Sequence, residues 1–208
     1  MLFPKNPQIY NCELCKDIKY IPAVTEKGNS AVTPCRCLML EAKRRCFGDY
    51  FLDKNLDNYE ARTPSMASAL KLLKGNPVGS YYIYGNVGLG KTHLVAGLYE
   101  ANYNNGRWTS THVLTETQLT ESIKDYSIRA MLRTASTFVI DDLGKIEVAK
   151  WDIEALFNFY NEVYRNDQAL IISSNYSLQA LSGIYGGAIS RRIEERCEIL
   201  NIISQGKK

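Results

Sequence analysis

The stretch SYYIYGNVGLGKT, residues 80–92, decides the fold class of this chain. An apolar strand pattern leads into eight residues that match G-x-x-x-x-G-K-[ST], and a helix pattern follows them. In this context the glycines let backbone N–H groups point inward at a phosphate, and the helix adds its positive N-terminal end. A plain glycine-rich turn without a ligand is the alternative, but the complete motif and its flanks favour a phosphate site.

This motif predicts a site for a nucleoside triphosphate with Mg²⁺. Lys91 is expected to reach the β- and γ-phosphate oxygens, and the Thr92 hydroxyl is expected to ligate the metal ion. The predicted nucleotide contacts in the loop are Gly85, Asn86, Val87, Gly88, Leu89, Gly90, Lys91 and Thr92.

Strand and helix patterns alternate from residue 79 onward. The alternation predicts an α/β fold in which helices flank a parallel five-stranded sheet. The expected strands are 80–84, 109–114, 137–140, 169–173 and 198–203. The expected helices are 91–104, 117–126, 128–134, 151–165 and 188–196, with another at 65–74 ahead of the first strand.

Polar residues follow two of the predicted buried strands. In the stretch TFVIDDL, Asp141 and Asp142 directly follow the predicted strand 137–140. Asp141 is expected beside the Mg²⁺, and Asp142 could orient or deprotonate the attacking water. Asn175 follows ALIISS and could hydrogen-bond the γ-phosphate or that water, because ligands bind at the carboxyl ends of strands in such sheets. A simple strand-to-loop exit and a turn-forming asparagine are the alternatives.

Two adjacent arginines, Arg191 and Arg192, lie in the last predicted helix. An arginine supplied across a subunit boundary can stabilise charge on a transferring phosphoryl group. A solvated basic patch that pairs with Glu194 and Glu195 fits the spacing equally well.

Four of the six cysteines form the pattern C-x2-C-x19-C-x-C, at Cys12, Cys15, Cys35 and Cys37. Two close pairs separated by a loop suit a tetrahedral zinc ion, because each pair can present two thiolates from one tight turn. The second pair departs from C-x-x-C, and four unrelated buried thiols are the alternative. The short, polar, turn-rich segment around the cysteines has little else to build a core, so we predict a zinc site.

Composition and charge bound the remaining possibilities. Hydrophobic residues make up 45% and charged residues 23% of the 208 residues, as in globular domains. No apolar run approaches the roughly 18 to 20 residues that span a bilayer, and the start lacks a secretory signal pattern, so we expect a soluble cytoplasmic protein without a membrane partner. The net charge of +3 is too small to indicate nucleic-acid binding by itself.

The same features suggest three segments. Residues 1–40 are predicted to form the zinc-binding module, residues 41–55 a basic linker with a cationic face, and residues 56–208 the nucleotide-binding domain. Cys46 and Cys197 lie outside the cysteine pattern and are expected only to pack.

Taken in order, the cysteine pairs, the basic linker, GNVGLGKTH, FVIDDLG, IISSN and ISRRIEERC resemble the DnaC/DnaI-type helicase loaders of the AAA+ class. The related IstB-type transposition ATPases are similar. The resemblance covers about residues 10–203. It implies an AAA+ core, ATP, Mg²⁺ and Zn²⁺ as cofactors, and weak ATP hydrolysis stimulated by DNA or a partner. The zinc module would bind a replicative DnaB-type helicase, and the loader would help place that helicase on single-stranded DNA.

The resemblance also implies roles for single residues. Gly85, Gly90, Lys91 and Thr92 match the Walker A motif, and Asp141 and Asp142 match the Walker B pair. Asn175 matches sensor 1, and Arg192, or else Arg191, matches the arginine that acts across a self-association interface. Asp142, Asn175 and Arg192 would therefore be catalytic. Residues 56–59 match a segment near the adenine, and the early end of the chain implies that the C-terminal helical lid is absent.

Two other functions remain open on the sequence. One is an IstB-like ATPase that assists a transposase on duplex DNA. The other is a zinc adaptor that senses ATP without meaningful turnover. A small-molecule kinase is disfavoured, because such an enzyme has no reason to carry a four-cysteine module.

Overall fold

The computed structural model describes residues 11–25, 28–107, 110–145 and 150–204 of the chain. Its strands are β1 (Tyr20–Val24), β2 (Ser30–Pro34), β3 (Tyr81–Tyr84), β4 (Thr111–Thr115), β5 (Thr137–Leu143), β6 (Ala169–Ser174) and β7 (Glu198–Asn201). Its α-helices are α1 (Arg36–Phe47), α2 (Pro64–Gly75), α3 (Lys91–Asn102), α4 (Glu116–Lys124), α5 (Ile128–Thr134), α6 (Lys150–Arg165), α7 (Leu178–Tyr185) and α8 (Gly187–Arg196). None of the helices in these ranges is long and apolar enough to cross a membrane.

Strands β3 to β7 form one sheet in the order β4-β5-β6-β3-β7, and all four pairs are parallel. Successive residues face opposite sides: Tyr82 packs with Phe138 and Ile172, whereas Tyr81 packs with Val139. Both sides of the sheet are therefore buried, as a helix-flanked parallel sheet requires. This confirms the predicted α/β class with five parallel strands.

The register aligns the carboxyl ends of the central strands. Tyr84 lies opposite Ser174, and Thr115 lies opposite Asp141. The residues that follow β3, β5 and β6 consequently meet at one edge of the sheet, which is where the sequence placed its polar motifs.

Several element boundaries differ from the sequence prediction. Strand β5 extends to Leu143 and so includes both aspartates, while β7 ends at Asn201. Helix α3 ends at Asn102 and an irregular turn, Tyr103–Arg107, follows it. Helix α7 was not predicted. Thr109, the predicted start of the second strand, lies outside the described residues.

The N-terminal cysteine segment contains a hairpin of β1 and β2, followed directly by helix α1. Helix α1 crosses residue 40, the predicted boundary between the zinc-binding module and the basic linker. The division into segments 1–40, 41–55 and 56–208 stays a prediction. The helix packs on α3: the Lys43 side chain is fully buried, and its ammonium donates to Glu100 Oε2 at 2.7 Å and to the Lys54 carbonyl at 2.5 Å. This part of the linker thus pairs with the core instead of presenting a uniformly cationic face.

Candidate nucleotide and metal sites

The loop between β3 and α3 holds its lysine in a buried position. Lys91 is 6% exposed, and its ammonium donates to the Gly85 and Asn86 carbonyls at 2.9 Å each. Burial lowers the pKa of Lys91, and the charges of Asp142 and Asp141 oppose this. The ammonium is therefore held by weak, exchangeable acceptors that phosphate oxygens can replace.

The segment before the core packs against this loop. Gly90 has φ of +78°, and a Cβ there would lie 2.8 Å from the Tyr59 ring, so only glycine fits without displacing the tyrosine. The Tyr59 hydroxyl also donates to the Leu89 carbonyl at 2.8 Å. These contacts bring Tyr59 to the phosphate loop, while the implied position of residues 56–59 near the adenine stays a prediction.

A β-bulge lies at the two aspartates. Ile140 pairs with Ile172 and Leu143 with Ser174, so Asp141 and Asp142 together oppose Ser173. Asp142 takes φ of +61° in this bulge. The bulge re-aims consecutive side chains, which explains how both acids of one strand can reach the same site.

Ser173 joins the two halves of the bulge. Its hydroxyl donates to Asp141 Oδ1 and accepts the Asp142 N–H at 2.9 Å. Sequence reasoning missed Ser173, because its role depends on the register between β5 and β6. The signal in the sequence was a pair of serines, Ser173 and Ser174, after four apolar residues of the strand.

Asp141 faces the first turn of α3. Its Oδ1 accepts the Thr92 hydroxyl at 3.3 Å, which places together the two predicted Mg²⁺ ligands. Burial raises the pKa of Asp141 from 3.8 to about 6, and the Ser173 hydrogen bond opposes part of this increase. A divalent cation here would offset the cost of the buried charge, so the donor set fits Mg²⁺.

A cavity of about 530 Å³ lies over the loop. It is lined by Lys91 and Thr92 from α3, by Asp142 and by Asn175, so the structure brings these predicted residues together. The lining that sequence reasoning missed comes mostly from the linker and the segment after it, and includes Tyr50, Phe51, Lys54 and Lys145. The roles of the individual residues remain predictions.

Arg192 lies elsewhere. Among the described residues that line the cavity, none belongs to helix α8. The Arg192 guanidinium donates to Glu195 at 2.7 Å and stacks 4.8 Å from the centre of the Tyr164 ring. Arg191 is more exposed and pairs with the same Glu195. Neither arginine contacts the nucleotide cavity of its own chain.

The four cysteines of the predicted zinc site converge. Their sulfur atoms all lie within 4.8 Å of one another, with Cys12 to Cys35 at 3.7 Å and Cys15 to Cys37 at 3.5 Å. A tetrahedral zinc ion with Zn–S bonds of about 2.3 Å needs sulfur separations of about 3.8 Å, so the residues fit the ion. The backbone N–H of Cys15 lowers the pKa of the Cys12 thiol to about 7, whereas burial raises the pKa of the Cys37 thiol. A bound cation would offset the second effect by stabilising the thiolates.

The zinc site is attached to the core at two places. Cys35 caps the N-terminus of α1, and Cys37 lies in its first turn. The Tyr103 hydroxyl, which follows α3, donates to the Cys35 carbonyl at 2.9 Å. The thiolate cluster consequently lies at the positive end of α1, where negative charge is stabilised.

Comparison with known structures identifies the fold. The crystal structure of the DnaC helicase loader superimposes with a TM-score of 0.66 and 24% identity, covering 74% of this chain and 99% of the loader. The AMPPCP-bound DnaA of Aquifex aeolicus gives a TM-score of 0.61 and 18% identity, covering 72% of this chain and 50% of that one. These similarities show a shared AAA+ fold, in agreement with the resemblance to the loaders.

Sequence comparison points to replication initiators. The chromosomal replication initiator DnaA of Treponema pallidum is 27% identical over 193 residues, which cover 86% of this chain. The match covers only 39% of the initiator's own length. The model of the bacterial DnaA ATPase domain matches residues 51–196, which is more than half of the chain. The chain with this nucleotide loop and acidic bulge therefore belongs to the bacterial DnaA ATPase domain family.

Proposed function

We propose that this chain is an ATP-dependent helicase loader. It binds ATP and Mg²⁺ at the loop after β3, binds Zn²⁺ through its four cysteines, contacts a DnaB-type replicative helicase through the zinc module, and helps place that helicase on single-stranded DNA. The observation that carries the proposal is the link from the cysteine cluster to helix α3, the helix that begins with Lys91 and Thr92. Tyr103, directly after α3, donates to the Cys35 carbonyl, and the Lys43–Glu100 pair joins α1 to α3.

The residues in and beside the cavity supply the groups that ATP hydrolysis requires. Lys91 would exchange its two carbonyl acceptors for β- and γ-phosphate oxygens. Thr92 and Asp141 would hold Mg²⁺, which neutralises charge on the phosphates. Asp142 would orient or deprotonate water, and Asn175, at the end of the neighbouring strand, would hydrogen-bond the γ-phosphate or that water.

Arg192 would act on the nucleotide of a neighbouring protomer. Its distance from its own cavity and its partly exposed position support this role. Self-association would then be needed for rapid turnover, because the arginine stabilises charge that develops in the transition state. In the single chain, the hydrogen bond to Glu195 would hold the Arg192 guanidinium in place before a second protomer binds.

ATP turnover tests the catalytic part of the proposal. Wild-type protein and Asp142→Asn are compared with and without single-stranded DNA and the helicase. We expect hydrolysis by the wild type and a loss of at least tenfold in the variant, because the variant lacks the base. Equal rates in the two proteins would instead favour the ATP-sensing adaptor.

Arg192→Ala tests the action in trans. We expect it to abolish turnover while leaving ATP affinity nearly unchanged, since the residue lies outside its own cavity. Arg191→Ala tests the alternative assignment on the same helix: loss of turnover in this variant and not in Arg192→Ala would make Arg191 the arginine that acts in trans. Loss of affinity in Arg192→Ala would place this arginine at its own nucleotide.

Pull-down experiments test the partner. We expect capture of a replicative helicase, and loss of capture when Cys37→Ser disrupts the zinc module. Cys46→Ser, which lies outside the cluster, is the control. Capture of a transposase and not the helicase would favour the IstB-like function.

A further inference from the structure

Glu116 is a buried carboxylate beside the nucleotide site that no motif predicts. It is the first residue of α4, directly after β4, and it is 3% exposed. Its Oε2 accepts the N–H of Gly144 at 3.1 Å and the N–H of Lys145 at 2.8 Å. Its Oε1 accepts the hydroxyl of Tyr185. One side chain therefore joins three segments that are far apart in the sequence.

The first two hydrogen bonds fix the loop that leaves the acidic bulge. Lys145 donates from its ammonium to Asp142 Oδ2 at 2.6 Å, and both side chains line the cavity over the nucleotide loop. Gly144 has φ of +102°, and a Cβ there would lie 2.7 Å from the Tyr176 ring. The position of Lys145 against Asp142 thus depends on a turn that requires glycine at residue 144. One carboxylate oxygen of Glu116 fixes this turn by accepting the N–H groups of residues 144 and 145.

The third hydrogen bond reaches α7, the helix that comes just before the one that carries Arg192. Tyr185 ends α7, and α8 begins two residues later at Gly187. The Tyr185 side chain is 2% exposed, so its hydroxyl has little access to water as a substitute acceptor. Glu116 therefore also ties the loop after Asp142 to the α7–α8 corner.

Keeping a carboxylate at this depth is costly. An ionised side chain buried away from water is stabilised only when its oxygens are well hydrogen-bonded. Glu116 meets that condition with two backbone donors and one hydroxyl, and these are charge-assisted bonds of the stronger kind. Such an arrangement is rigid, and rigidity of the groups behind a reacting centre is what keeps a base or a cation aligned.

We propose that Glu116 is a positioning residue for ATP hydrolysis: it holds the Gly144–Lys145 loop so that Lys145 and Asp142 face the γ-phosphate, and it ties this loop to the corner before the Arg192 helix. The inference rests on the proposed ATPase function. Glu116 does not touch the nucleotide itself and acts through the backbone of residues 144 and 145.

Four variants separate this role from a general effect on folding. Glu116→Ala removes the acceptor, and Glu116→Gln keeps an amide oxygen that can accept both N–H groups. Glu116→Asp keeps the charge but withdraws it by one methylene group. Glu121→Ala, an exposed carboxylate on the same helix, is the matched control. For each protein we measure kcat and KM with DNA and helicase present, ATP affinity by calorimetry, and thermal unfolding.

We expect kcat to fall about tenfold or more in Glu116→Ala and Glu116→Asp, while ATP affinity stays within about threefold because Lys91 is untouched. Glu116→Gln should recover most of kcat, and Glu121→Ala should match the wild type. Tyr185→Phe should lower kcat less than Glu116→Ala does, with no further effect in the Glu116→Ala background.

Two results overturn the inference alone. The first is an active wild type with unchanged kcat in Glu116→Ala. The second is kcat restored by Asp and not by Gln, since charge and not acceptor position would then matter. If Glu116→Ala does not fold, the contrast between Gln and Asp decides the question. A wild type without turnover overturns the proposed function and this inference together, which distinguishes the two failures.

Discussion

Lys43→Ala probes the buried ion pair that fastens the zinc-module helix to the nucleotide-binding helix. Lys43 is fully buried and Glu100 is 13% exposed at the side chain. Removing the ammonium therefore takes the closer cation from a largely buried carboxylate and leaves the exposed Arg36 guanidinium, at 3.9 Å, as its other partner. The Lys54 carbonyl loses its donor as well. The change therefore breaks a buried pair from one side, which is the costly way to break it.

The magnitude follows from this geometry. Removing one partner of a buried ion pair costs about 3–5 kcal/mol. For a chain of this length each kcal/mol lowers Tm by about 2–4 °C, so a decrease of about 6–20 °C is expected. Arg44, the next residue, pairs with Asp49 on the surface, with side chains 60% and 78% exposed. Arg44→Ala should change the free energy of unfolding by no more than about 0.5 kcal/mol.

Urea and thermal unfolding, followed by circular dichroism, measure both variants against the wild type. A double variant, Lys43→Met with Glu100→Leu, removes both charges and should recover most of the lost stability. The reasoning is refuted if Lys43→Ala costs less than about 1 kcal/mol, or if it behaves like Arg44→Ala.

Three further predictions concern backbone contact, protonation and metal. Gly97→Ala should lower the free energy of unfolding in urea by about 1–3 kcal/mol, because its Cβ would lie 2.8 Å from the Leu56 nitrogen. Gly183→Ala has open space around it and should stabilise α7. Equal effects of the two variants would contradict this reasoning. Since burial raises the pKa of Asp141 from 3.8 to about 6, the nucleotide-free folded chain holds a proton that the unfolded chain has released, and the free energy of unfolding should fall as pH rises from about 4 to 6. Asp141→Asn should remove that part of the decline, and identical pH profiles of the two proteins would argue against it. A strong chelator should release one equivalent of zinc and lower Tm, as should Cys37→Ser; a metal content below half an equivalent in freshly purified wild type would count against the site.

Contiguous features were predictable from the sequence. In residues 85–92 the glycines determine the backbone conformation, and Lys91 and Thr92 supply the groups that bind phosphate and metal. The motif therefore predicts the loop without tertiary information. Asp141 and Asp142 were predictable because they end an apolar strand. The cysteine cluster was predictable because two closely spaced pairs in a short, turn-rich segment are typical of one metal site.

Features that depend on packing were not predictable. Ser173 matters because the register of β5 against β6 places it opposite the bulge. In the sequence EAKRRC, Lys43 does not differ from the neighbouring cations, and its burial follows only from the packing of α1 on α3, where it pairs with Glu100. Helix α7 is short and contains Gly183, so its pattern was too weak to distinguish from a loop. Glu116 contacts residues about 28 and 69 positions away, and no local pattern encodes such separations.

The attachment of the cysteine cluster to α1 has a mechanical consequence. Cys35 and Cys37 lie at the start of α1, and Lys43 in the middle of α1 pairs with Glu100 of α3. These contacts hold the cluster in a fixed position relative to α3. If α3 tilts when phosphate replaces the carbonyls around Lys91, helix α1 would transmit this tilt to the cysteine cluster at its N-terminus. A partner bound to the cysteine cluster would then respond to the nucleotide through a change in the orientation of α1.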